Sequence, residues 1–277
     1  MQPTSSYKVR GAFNTVLRIV EEYGTNPPLI VTASAGNHGR AMAWAVRDSN
    51  ISLTVYVPEK APRTKLEAIA ASGATIVHCR DYDDAERRAK EEASRAGARY
   101  VSPYSHPDVI AGAGTIGLEI LDEWPDVDLI VVPIGGGGLI SGIALAATAL
   151  SKRVRVAGVE VEASCPFTRG IAAGRIVEID VQPTLADGLS GNLDPDTLTF
   201  DIVGRLVPEI ALVSEPQLRG AIAGLMKYED LKIEGAGAVG VATLTGRRLD
   251  TCGKRVAVVL SGGNIDQELF SAIVAGS

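Results

Sequence analysis

The chain has 277 residues, 46% of them hydrophobic and 22% charged, which supports one large or two ordinary buried cores and excludes a disordered chain. A net charge of -6 supplies no basic face, so a nucleic-acid partner is not expected. Cys79, Cys165 and Cys252 form no CxxC pair, and the start of the chain has no signal-peptide core. No apolar run reaches the roughly 18 residues that span a bilayer, so a cytoplasmic, reducing compartment and no membrane partner are expected.

In chain order, "TSSYKVRGA" (4–12) comes first and sets Lys8 beside Tyr7. Alone, that lysine reads as solvated charge. "LIVTAS" (29–34) is a strand-like run, followed by the small-residue loop Ser34, Ala35, Gly36, Asn37 and His38. A loop of this kind at a helix start offers N–H groups to an anion, and a substrate carboxylate would suit it. Helix capping is the plainer reading of Ser34 and Asn37. "SLTVYVP" (52–58) and "TIVHC" (75–79) are further strand-like runs. "DYDDAERRAKEEASRAG" (81–97) starts with acids, pairs Glu86 with Lys90 four residues on, and stops at Gly97, as a helix does.

"LIVVPI" (129–134) runs into Gly135, Gly136, Gly137, Gly138 and Leu139. Four consecutive glycines are entropically costly for a mere turn, and they let backbone N–H groups surround an anion such as phosphate. No GK[ST] follows, so this is no Walker loop. Gly136, Gly138 and Gly142, with Glu160 further on, leave a nicotinamide dinucleotide reading open, although the third glycine comes one place late. "RVAGVEV" (155–161), "EIALVS" (209–214) and "RVAVVLS" (255–261) complete the strand-like runs. "KIEGAGAVG", with Gly237, and "LSGGN", with Ser261, add two more small-residue loops. Valine- and isoleucine-rich runs without strict alternation read as strands buried on both faces, and their alternation with helices predicts parallel α/β sheets.

"TSSYKVRGA", "SAGNHG", "PIGGGGLISG", "EGAGAVG" and "LSGGN", in this order and spacing, resemble the fold type II pyridoxal-phosphate enzymes. The resemblance is greatest to threonine dehydratase with its serine dehydratase and serine racemase relatives. "VIAGAGTIGLEIL" (109–121) and "LADGL" (185–189) share it. It runs from residue 1 to about residue 266. It implies a tryptophan synthase β-like fold of two open twisted α/β domains with the cofactor in the cleft between them. A large domain of 1–29 plus 108–277, a small domain of 30–107 and no C-terminal regulatory domain are expected.

The resemblance also assigns roles. Lys8 forms the Schiff base with pyridoxal 5'-phosphate, and Tyr7 lies against its ring. Asn37 meets the phenolic oxygen, and Ser34 to His38 hold the substrate carboxylate. Gly135 to Leu139 take the phosphate through backbone N–H groups. Ser261 faces the pyridine nitrogen, and Gly237 lies near the ring. The implied activity is deamination of L-threonine, and of L-serine, by β-elimination of water in a homodimer or higher homo-oligomer. Racemase relatives carry a serine where this chain has Ala35, which favours elimination over racemisation. Relatives that bind a divalent cation have an acid where this chain has Pro166, so no metal site is expected near Glu160. Members carry several tens of residues ahead of the lysine, whereas this sequence begins seven residues before it. A non-catalytic cofactor-binding protein and a β-replacement enzyme are the remaining rivals.

Overall fold

The computed structural model describes residues 2–276. The chain divides into two compact units, Met1–Gly112 and Ala113–Ser277. Residues 1–29 thus group with 30–107, whereas the resemblance places them with 108–277.

The first unit opens with helix α1 (Lys8–Tyr23). Strands β1 (Ile30–Ala33), β2 (Leu53–Pro58), β3 (Thr75–Cys79) and β4 (Arg99–Tyr100) alternate with helices α2 (Asn37–Val46), α3 (Arg63–Ala70) and α4 (Tyr82–Ala96). Helix α5 (Pro107–Glu123) follows. The strands make a parallel four-stranded sheet in the order β3-β2-β1-β4. Strand β1 is buried along its whole length, as its unalternating "IVTA" requires. Val9, Ala12, Val16 and Ile19 recur at helical spacing on α1 and are buried with Ile30, Met42, Val55 and Ile69 in one core. That shared core is why α1 groups with this sheet. Helix α4 lies within the predicted span. The Asp81 side chain caps it by accepting from the Asp84 N–H at 2.8 Å, and Gly97 ends it in the left-handed conformation.

The second unit repeats the pattern with β5 (Leu129–Pro133), α6 (Gly138–Leu150), β6 (Arg155–Val161), α7 (Pro166–Ala173), α8 (Thr199–Leu206) and β7 (Glu209–Val213). Helices α9 (Glu215–Glu229) and α10 (Gly235–Thr245), strand β8 (Val256–Val258) and helix α11 (Gln267–Ala275) complete it. Its sheet is also parallel and four-stranded, in the order β7-β6-β5-β8. Val131, Val159, Val213, Leu218, Ile222 and Val239 lie in the core it builds with α9 and α10. One strand goes unpredicted and one predicted strand is shorter than expected. The two-residue β4 is too short to leave a pattern in sequence, and β8 ends at Val258, three residues before its predicted end, because the chain there turns toward α10. Among the described residues, no helix is long and apolar enough to cross a membrane.

Both sheets reverse their strand order at one place. In the first, β1 sits between β2 and β4; in the second, β5 sits between β6 and β8. Open α/β sheets bind ligands beyond the carboxyl ends of the strands at such a reversal.

Candidate active site

In the first unit the candidate residues lie on the loops after β1 and β4. After β1 the chain makes a short loop and enters α2 at Asn37, with Gly36 as N-cap. The Gly36 N–H donates to Ser34 Oγ at 3.3 Å, which folds the loop back over the helix start. This fold is possible only because residue 39 is glycine. A Cβ there would lie 2.1 Å from the Ser34 carbonyl oxygen. At Gly36 a Cβ would meet nothing within 4 Å, so the loop keeps an open side there. The first N–H groups of α2 have no carbonyl within the helix to bond, and they carry its positive end.

Lys8 is the first residue of α1. A cation at a helix N-terminus is electrostatically unfavourable, so the position calls for a compensating partner. Lys8 Nζ donates to the Pro103 carbonyl at 2.6 Å, in the segment after β4, and lies 5.3 Å from the centre of the Tyr7 ring. The Asn14 side chain donates to the Asp108 carbonyl at 2.8 Å and ties α1 to the start of α5. His38 is buried, and among the described residues neither ring nitrogen makes a hydrogen bond. Burial first, and then the positive Lys8, lower its pKa to about 3. His38 is therefore a neutral imidazole beside the lysine. Lys8, Tyr7 and residues 34–38 all fall within this unit, and the charge of Lys8 acts on His38. Sequence reading misses Pro103, because a backbone carbonyl carries no residue-type signal.

In the second unit the candidate residues lie at the carboxyl ends of β5 and β8. Gly137 is the N-cap of α6 and has φ +84°, a left-handed conformation that favours glycine. Thr199 Oγ donates to the Gly136 carbonyl at 2.7 Å. In a trans peptide the C=O and the following N–H point oppositely, so the Gly137 N–H is turned away from Thr199. The loop thus presents donors on one side and is fastened on the other. Ser261 Oγ is buried and donates to the Ala236 carbonyl at 3.4 Å, while the Glu234 N–H donates to the Gly262 carbonyl at 3.1 Å. Helix α10 starts so close to its neighbours that a Cβ at Gly235 would lie 2.1 Å from the Leu185 oxygen, and one at Gly237 would lie 2.6 Å from the Gly262 oxygen. Glycine in "EGAGAVG" therefore seats the helix against "LADGL" and "LSGGN". Gly135 lies against the same "LADGL" turn, where a Cβ would be 3.0 Å from the Leu189 Cα.

This donor set fits pyridoxal phosphate. The glycine loop offers backbone N–H groups at a helix start for a phosphate, and Ser261 supplies a buried hydroxyl. Lys8 offers an amine. A divalent cation fits poorly beside Glu160. Both carboxylate oxygens are occupied: Oε1 accepts from the Phe167 N–H at 2.9 Å, and Oε2 accepts from the Thr168 N–H at 2.9 Å and Thr168 Oγ1 at 2.6 Å. These contacts also remove Glu160 from the ribose-ligand role that a dinucleotide reading needs. Thr199 and Phe167 escape sequence reading, because a helix-start threonine and a core phenylalanine carry no distinctive pattern.

The pattern of the family described as "Pyridoxal-phosphate dependent enzyme" matches residues 1–262. The L-threonine ammonia-lyase of Thermotoga maritima is 40% identical over 275 residues, which are 99% of this chain and 68% of that protein. The catabolic L-threonine dehydratase of Escherichia coli strain K12 is 37% identical over 276 residues, 99% of this chain and 83% of that one. Among solved structures, maize serine racemase superposes with a TM-score of 0.88 at 30% identity, covering 99% of this chain and 84% of that chain.

Proposed function

The chain belongs to the pyridoxal-phosphate dependent enzymes, and from that membership we propose that it is an ammonia-lyase that converts L-threonine to 2-oxobutyrate and ammonia, and L-serine to pyruvate and ammonia. The observation that carries this reading is Lys8 Nζ held at 2.6 Å on the Pro103 carbonyl, beyond the strand that borders β1 at the first sheet's reversal.

When bound, the cofactor supplies an electron sink for the charge left on the substrate Cα and an acid for the departing hydroxyl. The chain's own residues do the remaining work. The Lys8 amine would anchor the cofactor and, as a free base, would take the Cα proton. The helix-start N–H groups of the 34–38 loop take the substrate carboxylate, and the Asn37 amide faces the cofactor's phenolic oxygen. Tyr7 would lie against the cofactor ring, with Gly237 near it. Gly135 to Leu139 hold the phosphate. The Ser261 hydroxyl would meet the pyridine nitrogen without fixing a proton on it, which suits elimination better than transamination. The β-hydroxyl leaves as water, and the released enamine takes up water to yield the 2-oxo acid and ammonia. Nothing is oxidised or reduced overall.

Racemisation needs a proton donor on the substrate's second face. Ala35 offers only a methyl group, packed against the first unit's core, so elimination is the favoured outcome. A homodimer in the cytoplasm is part of the same proposal. It draws support from the family and from closed two-fold assembly being the commonest oligomer. Sedimentation of the purified protein at twice the chain mass supports the dimer, and a single-chain mass refutes it. Release of 2-oxobutyrate and ammonia in equal amounts from L-threonine supports the activity, and cofactor binding without keto-acid release from any 3-hydroxy amino acid refutes it.

A further inference from the structure

We propose that Glu160 is a positioning residue for the phosphate-binding glycine loop, acting through helix α7 with hydrogen bonds where cation-binding relatives would use a metal ion. The inference rests on the reading that this loop holds the cofactor phosphate.

Glu160 stands near the end of β6, on the strand beside β5, and is fully buried; among the described residues no basic side chain bonds to it. Burial pushes its pKa up, and three donors from α7 pull it down: the Phe167 N–H, the Thr168 N–H and the Thr168 hydroxyl. A buried carboxylate is costly to retain unless its donors are fixed. What the arrangement fixes is the first turn of α7, whose residue 166 is proline and whose N–H groups would otherwise be orphaned.

The consequence reaches the glycine loop through one side chain. The Phe167 ring is fully buried, and its tip would lie 2.6 Å from a Cβ at Gly137, the left-handed residue that starts α6. Phe167 also stacks on Phe200 of α8, with ring centres 6.1 Å apart. The neighbouring Thr199 binds the Gly136 carbonyl. The loop is therefore backed by two helices, one set by Glu160 and the other fastened by Thr199. Holding the loop before the ligand arrives lowers the ordering cost of binding.

The experiment is a titration of the full chain, freed of cofactor, with pyridoxal phosphate and separately with pyridoxal, in wild type, Glu160→Gln and Thr168→Val. Glutamine keeps the shape but turns an amide donor toward α7; valine keeps the N–H bond and removes the hydroxyl. The expected result is about tenfold weaker pyridoxal phosphate binding for Glu160→Gln and about threefold for Thr168→Val. Pyridoxal binding should be unchanged in both, and chelator or magnesium should have no effect on any of the three proteins. If Glu160→Gln does not fold, Thr168→Val decides the matter. Wild-type phosphate preference in Thr168→Val, equal losses for pyridoxal and pyridoxal phosphate, or a wild type weakened by chelator and restored by magnesium would each overturn the inference. A wild type that binds pyridoxal as tightly as pyridoxal phosphate would instead overturn the phosphate-loop reading, and this inference with it.

Discussion

Lys8 shows how context changes the meaning of a residue. Its neighbours in sequence leave it a surface charge, and the ordered motifs downstream give it a chemical role. Its partner, the Pro103 carbonyl, is visible only in three dimensions. His38 is the opposite case. The sequence places it in the substrate loop but says nothing of its burial beside Lys8. The folded pKa of about 3 lies below the ordinary value of 6.5, so between those values the unfolded chain holds a proton that the folded chain lacks. Stability should therefore be intact above about pH 6.5 and fall as pH drops toward 3, by at most about 1.4 kcal/mol per pH unit from this residue. Urea midpoints at pH 7 and pH 5 check this. The difference between them should shrink in His38→Gln, and an unchanged difference would remove His38 as its source.

At the scale of the element, the glycines divide into those the fold needs and those the ligand needs. Gly39→Ala places a methyl 2.1 Å from the Ser34 carbonyl oxygen and should destabilise the first unit by about 2 kcal/mol or more. Gly36→Ala meets nothing within 4 Å, so it should unfold within about 0.5 kcal/mol of wild type while the substrate KM rises. Denaturation and kinetics of the two variants side by side give the comparison. Equal destabilisation would mean that the loop's open side is needed for folding. Most elements could be read from the sequence because buried parallel strands and amphipathic helices write their periods plainly, as "LIVVPI" and residues 81–97 do. Strand β4, with two residues, could not. Nor could the fastening of the glycine loop by Thr199, whose partner is distant in sequence, or the docking of α7 by Glu160, which rests mainly on backbone N–H groups that carry no residue-type signal.

At the scale of the whole molecule, the same design appears twice: a parallel four-stranded sheet whose order reverses beside the strand that feeds a small-residue loop. The sequence contains both loops and the order of the strands along the chain, but not which strands become neighbours. The grouping of α1 with the first sheet was equally hidden, because it follows from where the α1 apolar face is buried. The reaction outcome also belongs at this scale. With Ala35 in the loop, L-serine should give pyruvate with D-serine formation at least about a hundredfold slower, the usual size of a missing acid–base group. Chiral analysis of the reaction mixture checks it, and comparable rates would restore the racemase reading.

The central claim is that Lys8 makes this chain a pyridoxal-phosphate ammonia-lyase. The most direct test measures the visible absorbance of bound cofactor and 2-oxobutyrate release from L-threonine in wild type and in Lys8→Ala. Wild type should show both, and Lys8→Ala should lose the lysine-linked absorbance and nearly all keto-acid release. A Lys8→Ala protein that keeps the absorbance and turns over L-threonine at the wild-type rate would contradict the account.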